Sequence, residues 1–543
     1  MTSSSAAPFQ STHGASTPNH VVADQGALFA FLARPGPYAL PPDAHIQCIH
    51  THGAAVFLAG PFAYKVKRAV YFPFMDFSTL DKRKTACEAE LSIGRVNAPN
   101  LYLDVVPITR SEEGTLQLGG AGDVVDYAVK MRRFDTAHTL DKVTTERDLS
   151  SDEIKALARA IVASHVRAPV VHKKDPSACF EAFLSDNRAE FTARPALFPP
   201  AQTKALCDAS EQAFAHIRPL LRVRGKAGYV RRCHGDLHLR NIVLLDGAPV
   251  LFDAIEFNEE IATCDTLYDL SFLLMDLWER GLFTTANAVF NRYLWDAQEE
   301  GHLEGLTALP FFLSMRAAIR AKVEAAGLDH LAQDARAEAE QRIRHLFQMG
   351  QFFLNPESVT SAPASFHSGK RALPLLPEAA QAPGPRLVAV GGLSGTGKST
   401  CAMAWAPFIG RPPGALVLRS DVERKHLFHT AETEHLPPAA YTQEATLRVY
   451  ARLCAFAARA LASGQSVIVD AVYAHPYERV DVEKVAQAAH LPFTGIWLEA
   501  DLSVRVDRVE QRAGDASDAD AAIARQQQGY DLGDMHWIRL KSG

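Results

Sequence analysis

The chain has 543 residues, 47% of them hydrophobic and 22% charged, and its net charge is −6. At about 150 residues per domain such a length allows three or four structural units, and the composition excludes a disordered, collagen-like or coiled-coil polymer. The acidic balance argues against a dedicated nucleic-acid binder, and the eight cysteines contain no C-x-x-C pair, which reads as buried thiols of a reducing compartment.

In chain order, residues 1–20 are polar, lack the basic and apolar regions of a secretory signal, and read as a mobile tail. No apolar run is long enough to span a bilayer, so the expectation is a cytoplasmic protein without membrane contact. Residues 21–354 begin α+β. Ala54–Ala59 and Phe62–Val66 read as strands around a Gly60-Pro61 turn, Thr79–Val96 as a helix, and Val105–Thr109 and Val124–Arg132 as further strands. From Ser151 the pattern is mostly helical, with a long helix over Leu309–Val323 and one hairpin, Ile242–Leu245 and Val250–Phe252, around Asp246-Gly247. Residues 355–385 are dense in Pro, Ala and Ser and read as a semi-extended linker that buries little. Residues 386–543 alternate strand and helix: Leu387–Val390, a glycine loop, a helix from Lys398, then strands at Ala415–Leu418, Val467–Val469 and Phe493–Leu498. That alternation predicts an α/β domain with a parallel, doubly wound sheet.

The glycine loop fits G-x-x-x-x-G-K-[ST], with Gly392, Ser394, Gly395, Thr396, Gly397, Lys398, Ser399 and Thr400 as the candidate ATP-binding residues. Glycines let backbone N–H groups turn toward phosphate oxygens, and the following helix presents its positive end to the same anion. Lys398 would neutralise the β- and γ-phosphates, and the Ser399 hydroxyl would ligate Mg²⁺. Asp470, ending the apolar strand Val467–Val469, is the second candidate magnesium ligand. Asp421 would reach the same sheet edge as a catalytic carboxylate, or serve only to cap a helix. Arg508 and Arg512, four apart on one helix face, precede the polar stretch Gly514–Asp520; they read as phosphate contacts beneath a flexible lid, or as a solvated face. GLSGTGKST, RSDVERK, VIVDA and the R-x-x-x-R pair resemble small P-loop kinases of the gluconate kinase, shikimate kinase and zeta-toxin kind. That resemblance implies that Asp421 grips or deprotonates an acceptor hydroxyl and that Arg424 helps hold the substrate.

The first part carries Cys233-His234-Gly235-Asp236-Leu237-His238, then Asn241, the hairpin and Phe252-Asp253. Phosphoryl transfer from ATP needs an oriented hydroxyl and metal ions that neutralise the phosphates. Asp236 can accept the hydroxyl proton, while Asn241 and Asp253 can offer oxygens to Mg²⁺. This order resembles the catalytic core of aminoglycoside phosphotransferases, choline kinase and related protein-kinase-like small-molecule kinases. The resemblance implies that Lys65 contacts the ATP phosphates and that Glu90 pairs with it; Lys67 and Glu88 leave either assignment open to a slip of two residues. No G-x-G-x-x-G precedes Lys65. His234 and His238 read as loop anchors, Asp265 and Asp269 as helix caps or loop supports, and Arg316 and Arg320 as a surface face or the lining of an acceptor pocket.

The whole order resembles the family of bifunctional aminoglycoside phosphotransferase/ATP-binding proteins: a two-lobed protein-kinase-like domain, a linker and a P-loop kinase domain. It implies ATP and Mg²⁺ as cofactors and a small hydroxylated molecule as phosphate acceptor. An aminoglycoside site should be strongly acidic, and no acidic cluster marks the candidate acceptor region, so a sugar or polyol stands beside an aminoglycoside as acceptor.

Overall fold

The computed structural model describes residues 20–72, 75–172, 175–328, 333–356, 366–368, 371–381, 384–511 and 514–542. The expected tail lies outside these residues except for His20, as do Arg512 and part of the 355–385 segment. The chain forms two compact units, residues 1–138 with 250–262 and residues 139–249 with 263–543.

The first unit is built on an antiparallel sheet of six strands, in the order Gln47–His50, Ala54–Ala59, Phe62–Lys67, Asp123–Arg132, Tyr102–Arg110, Leu116–Leu118. Its central strands are rich in Val, Ala and aromatic residues, which pack well on a pleated surface. Gly60, at φ 55°, makes the turn into the strand that carries both lysines. The helix Leu80–Asn97 starts where the Thr79 hydroxyl accepts from the Lys82 N–H at 3.3 Å. It lies against the sheet around Cys87, Tyr102 and Val129. Gly94 permits that contact, because a Cβ there would sit 2.5 Å from the Tyr102 ring. The sheet strands at 102–110 and 123–132 begin one to three residues earlier than the apolar pattern indicates, since strand pairing extends past the apolar run.

The second unit contains both a helical part and a parallel sheet. Ser150 opens the helix Ser151–Arg167 with a capping box completed by Glu153. The helix Thr266–Glu279 is buried along nearly its whole circumference, and Leu309–Gly327 packs against it. The five-stranded sheet runs Leu416–Arg419, Val467–Asp470, Leu387–Gly391, Phe493–Glu499, Ile538–Lys541, with every pairing parallel. Val388, Val390, Ile468 and Ile496 fill its core with Trp405. Among the described residues, no helix is long and apolar enough to cross a membrane.

Two features differ from the sequence-based expectation. The 355–385 segment is not merely extended. Phe366–Ser368 pairs with Arg371–Leu373, and Leu373, Leu376 and Ala380 are buried in the core of the parallel sheet. The Trp405 indole donates to the Pro374 carbonyl at 3.1 Å and Arg386 to that of Ala379 at 2.7 Å. Nor does the division into units fall in this segment, because the helical part and the parallel sheet are joined by a polar interface. The helix Phe283–Ala297 lays two asparagines on the edge strand. The Asn291 carbonyl accepts from the Val417 N–H at 2.7 Å, its amide donates to the Ala415 carbonyl at 3.1 Å, and Asn287 donates to Pro413 and Ala415. Side-chain amides thus pair edge groups that would otherwise be a strand's open ladder. Arg411 adds a bond to the Leu306 carbonyl at 2.8 Å, and Arg459 pairs with Glu304 at 2.6 Å and Glu300 at 2.8 Å.

Candidate active sites

In the first unit, Phe62–Lys67 alternates so that Lys65 and Lys67 project to one side, toward Glu90 on the helix Leu80–Asn97. Glu90 takes both: Lys65 Nζ lies 2.8 Å from one oxygen and Lys67 Nζ 2.5 Å from the other. The alternatives left open by spacing separate here. Lys65 is 16% exposed and also reaches Asp253 at 2.5 Å, whereas Lys67 is enclosed between Glu90 and Glu256. Glu88 points outward toward Lys84. Burial pushes the Glu90 carboxyl up, but the two ammonium groups outweigh it and hold it at about 2. Lys65 is held well above its ordinary range, burial notwithstanding, by Asp253 and Glu90. Asp253 has φ 59°, uncommon for a residue with a Cβ, and its N–H donates to the Tyr102 hydroxyl at 2.9 Å. Such backbone strain is characteristic of functional positions.

In the second unit, Asp236 and Asn241 come together. The Asn241 amide donates to the Asp236 carboxylate at 2.9 Å and to its carbonyl at 3.0 Å, which leaves the Asn241 carbonyl oxygen for a metal. His238 Nε2 lies 3.3 Å from the same carboxylate. Burial raises the Asp236 carboxyl, and His238, His234 and Arg316 more than reverse that, so it stays ionised far below neutral pH.

The loop is carried by charges that sequence spacing left as supports or surface. Asp269, fully buried on Thr266–Glu279, accepts from the Gly235 N–H at 2.7 Å, from the His234 N–H at 3.3 Å, and lies 3.1 Å from His165 Nε2. Two turns on, Asp276 accepts from the Leu239 N–H at 3.0 Å. Arg316 is not on a surface: it is buried, donates to the Gly235 carbonyl at 3.1 Å and stacks on Tyr268 at 3.8 Å. Arg320 is turned inward as well, to Asp276 at 3.3 Å. Asp265 caps its helix, accepting from the Leu267 N–H at 2.9 Å. His165, Cys233 and Asp269 place donor atoms within 4.8 Å of one another, but each is already engaged, Cys233 with the Cys264 carbonyl.

The glycine loop adopts the conformation its motif demands. Gly392, Gly395 and Gly397 have φ of 143°, 83° and 90°, and a Cβ on Gly395 would meet the Arg505 carbonyl oxygen at 2.4 Å. The Ser399 hydroxyl donates to Asp470 at 2.5 Å, so the two expected magnesium ligands adjoin. Burial raises the Asp470 carboxyl against the pull of Arg419 and Lys398. A hydroxyl and a carboxylate beside a glycine cradle form the oxygen-rich donor set that suits Mg²⁺. Lys398 Nζ lies 3.2 Å from the Leu393 carbonyl, folded across the loop. The Ser394 N–H is already committed to Gln527 at 2.7 Å.

Other expected residues take different places. Asp421 is half-buried in the first turn of Ser420–Leu427 and makes no capping bond. Arg424 is buried, donating to the Ala440 carbonyl and to the Thr446 hydroxyl, with Tyr441 at 5.4 Å. Arg508 grips the back of the loop at the Gly395 carbonyl, 3.3 Å away, and the Ser542 hydroxyl at 3.1 Å. Arg512 lies outside the described residues. The stretch from Gly514 is tied down rather than free: Asp515 pairs with Arg419 at 2.9 Å, and Asp518 with Lys425 at 2.8 Å and the Tyr441 hydroxyl at 2.6 Å. Arg419, which sequence reading passed over, also donates to the Ser399 hydroxyl at 3.2 Å. Its position at the end of a strand, two residues before Asp421, was the available signal.

An uncharacterized protein of Mycobacterium tuberculosis (strain ATCC 25618 / H37Rv) is 28% identical over 497 residues, which cover 89% of this chain and 91% of that protein. A gluconokinase from Sinorhizobium meliloti 1021 aligns with 29% of this chain and 83% of its own, at 18% identity and a TM-score of 0.22. A choline kinase from Cryptosporidium parvum Iowa II aligns with 61% of this chain and 97% of its own, at 12% identity and a TM-score of 0.38. Residues 387–532 match the family described as AAA domain. The C-terminal region of this chain is therefore a P-loop nucleotide-binding domain, preceded by an α+β region that carries the Asp236–Asn241 loop.

Proposed function

We propose that the chain is a bifunctional, ATP- and Mg²⁺-dependent kinase in which each region phosphorylates a hydroxyl of a small molecule. The observation that carries the reading is the Ser399–Asp470 contact at 2.5 Å at the foot of a glycine cradle with Lys398 folded across it. Magnesium bound by that pair would neutralise charge on the β- and γ-phosphates. In the transfer the acceptor oxygen bonds to the γ-phosphorus. The bond from that phosphorus to the β,γ-bridging oxygen breaks, its electron pair leaves with ADP, and the hydroxyl proton passes to a carboxylate. Asp421 takes that proton in the P-loop region. In the N-terminal region Asp236 does so, being ionised at neutral pH; Asn241 would offer its carbonyl oxygen to metal, and in the first unit Lys65, beside Asp253, would meet phosphate.

Asp236→Asn and Lys398→Ala test the reading in the full chain. Phosphate incorporation is followed by mass across a panel of small hydroxylated metabolites. Each substitution is expected to abolish one activity and spare the other, and the proposal fails if neither changes ATP consumption with any acceptor. A second reading, in which one region senses nucleotide and regulates the other, is favoured by the asparagine bonds to the edge strand at 2.7–3.1 Å. It requires nucleotide binding at one site to change affinity at the other by the same factor in both directions, which calorimetry measures.

A further inference from the structure

Arg419 and Asp470 end neighbouring parallel strands and lie in register, so their side chains meet at one edge of the sheet. There the Arg419 guanidinium lies across the two oxygens expected to hold magnesium. Its Nη2 donates to Ser399 Oγ at 3.2 Å. Its Nε is buried, has no hydrogen-bond partner among the described residues, and faces Asp470 Oδ2 at 3.4 Å. Those oxygens are themselves 2.5 Å apart. Nη2 also donates to Asp515 Oδ1 at 2.9 Å. The proton of the Ser399 hydroxyl goes to Asp470, and one of its two lone pairs takes the Arg419 N–H.

We infer that Arg419 competes with magnesium for the Ser399–Asp470 pair and keeps it closed to free metal ion until nucleotide phosphates draw the guanidinium away. The inference rests on the P-loop kinase reading above and adds how metal entry is regulated there. Charge is the first argument. A divalent ion about 2.1 Å from these oxygens would lie within a few ångströms of a guanidinium that faces both, and like charges so close repel strongly away from bulk water. The Arg419 side chain is 13% exposed and that of Asp470 5%, so solvent screens them little. Asp515, Asp470 and Asp421 act on Arg419, and Lys398 acts on Asp470. Three carboxylates against two cations leave one negative charge for a divalent ion, whereas a triphosphate adds several more and offers the guanidinium oxygens of its own. Freedom to move is the second argument. Ser399, Arg419 and Asp515 line one cavity of about 830 Å³, which gives the side chain room to swing off Ser399 while it keeps Asp515. Its bond to Asp515 is the shorter one, and its contact with Asp470 lacks a hydrogen bond, so the metal pair is the weaker attachment.

Binding of Mn²⁺, a paramagnetic substitute for Mg²⁺ at oxygen ligands, is followed in the full chain by electron paramagnetic resonance. Each chain is measured beside its Asp470→Asn counterpart, so that only metal at this pair is counted. Without nucleotide, Arg419→Gln is expected to bind Mn²⁺ about tenfold more tightly than the native chain. Arg419→Lys keeps the charge and is expected to stay within about threefold of native. With a non-hydrolysable ATP analogue bound, the native chain should gain Mn²⁺ affinity and the advantage of Arg419→Gln should shrink to about threefold or less. Arg419→Met is read in place of Arg419→Gln if the latter does not unfold cooperatively. The inference is overturned if removing the charge leaves free Mn²⁺ binding unchanged or weaker, if Arg419→Lys gains as much, or if the gain persists undiminished with the analogue bound. Analogue binding is recorded in the same samples. A native chain that binds none would overturn the P-loop kinase reading itself, whereas analogue binding with unaltered Mn²⁺ affinity in Arg419→Gln would overturn only the role of Arg419.

Discussion

Asn291→Ala isolates the contribution of the amide pairs that join the helical region to the parallel sheet. In the native protein the Asn291 carbonyl is the acceptor for the Val417 N–H at 2.7 Å, on the open side of an edge strand. Removing it leaves that N–H without a protein partner, and a buried donor so stranded costs about 1–3 kcal/mol. The Ala415 carbonyl loses one donor but keeps Asn287 at 3.0 Å, so its loss is a fraction of one hydrogen bond. Val417 is only half-buried, which keeps the total near 2 kcal/mol, or about a 30-fold change in the local opening constant. Hydrogen exchange of peptides covering 415–419 reads this directly: Val417 protection should fall about 30-fold in Asn291→Ala, while strand Phe493–Glu499 on the far side of the sheet remains protected. Asn291→Asp, which retains an acceptor, should preserve most of the Val417 protection. Unchanged exchange in Asn291→Ala would refute the reasoning, since it would mean that water satisfies the edge strand.

Three further expectations follow from the sites. Gly395→Ala must place a Cβ 2.4 Å from a backbone oxygen at φ 83°, so nucleotide binding should be lost together with about 2–4 kcal/mol of stability, measured by calorimetry and urea unfolding. Asp269→Ala removes the carboxylate that accepts from the Gly235 and His234 N–H groups and should cost about 3 kcal/mol while impairing the Asp236 activity alone; equal loss of the Lys398-dependent activity would count against a local role. Burial, with Arg452 and Arg292, lowers His426 to about 4 from 6.5. The unfolded chain therefore binds more protons between those values, and this contribution to stability is full above pH 6.5 and lost as pH falls toward 4. At pH 5 the loss is about 2 kcal/mol, and His426→Gln should flatten the stability profile by that amount in urea melts at pH 5 and 7.

Much of the architecture is legible in the residues. Apolar runs bounded by Gly and Pro mark the strands at 54–59, 62–67, 387–391 and 467–470, because these strands are buried and their pattern is strong. Gln47–His50 and Ile538–Lys541 escape the same reading, as mostly exposed edge strands defined by their pairing partner and not by their own composition. The glycine loop is legible to the residue because each glycine answers a backbone requirement. The lysine ambiguity is not, because Lys65 and Lys67 share a strand face and only burial and the positions of Asp253 and Glu256 separate them. Arg316 shows the general limit. Helical spacing reports which residues share a face, but whether that face meets solvent or the carbonyl of Gly235 is decided by a helix distant in sequence. The 355–385 segment shows the converse: a Pro- and Ala-rich composition gives no sign that Leu373, Leu376 and Ala380 will find a core to enter.

The phosphate loop is braced from behind. Arg505 takes the Ser394 carbonyl at 2.8 Å, the Ser542 hydroxyl that of Thr396 at 2.6 Å, and Gln527 the Ser394 N–H, so three distant stretches of chain fix its curvature before any anion arrives. A cradle prepared in this way has little conformational entropy left to lose on binding. Nucleotide association should then be a single fast phase proportional to ligand concentration, without the plateau in rate that a slow ordering step imposes.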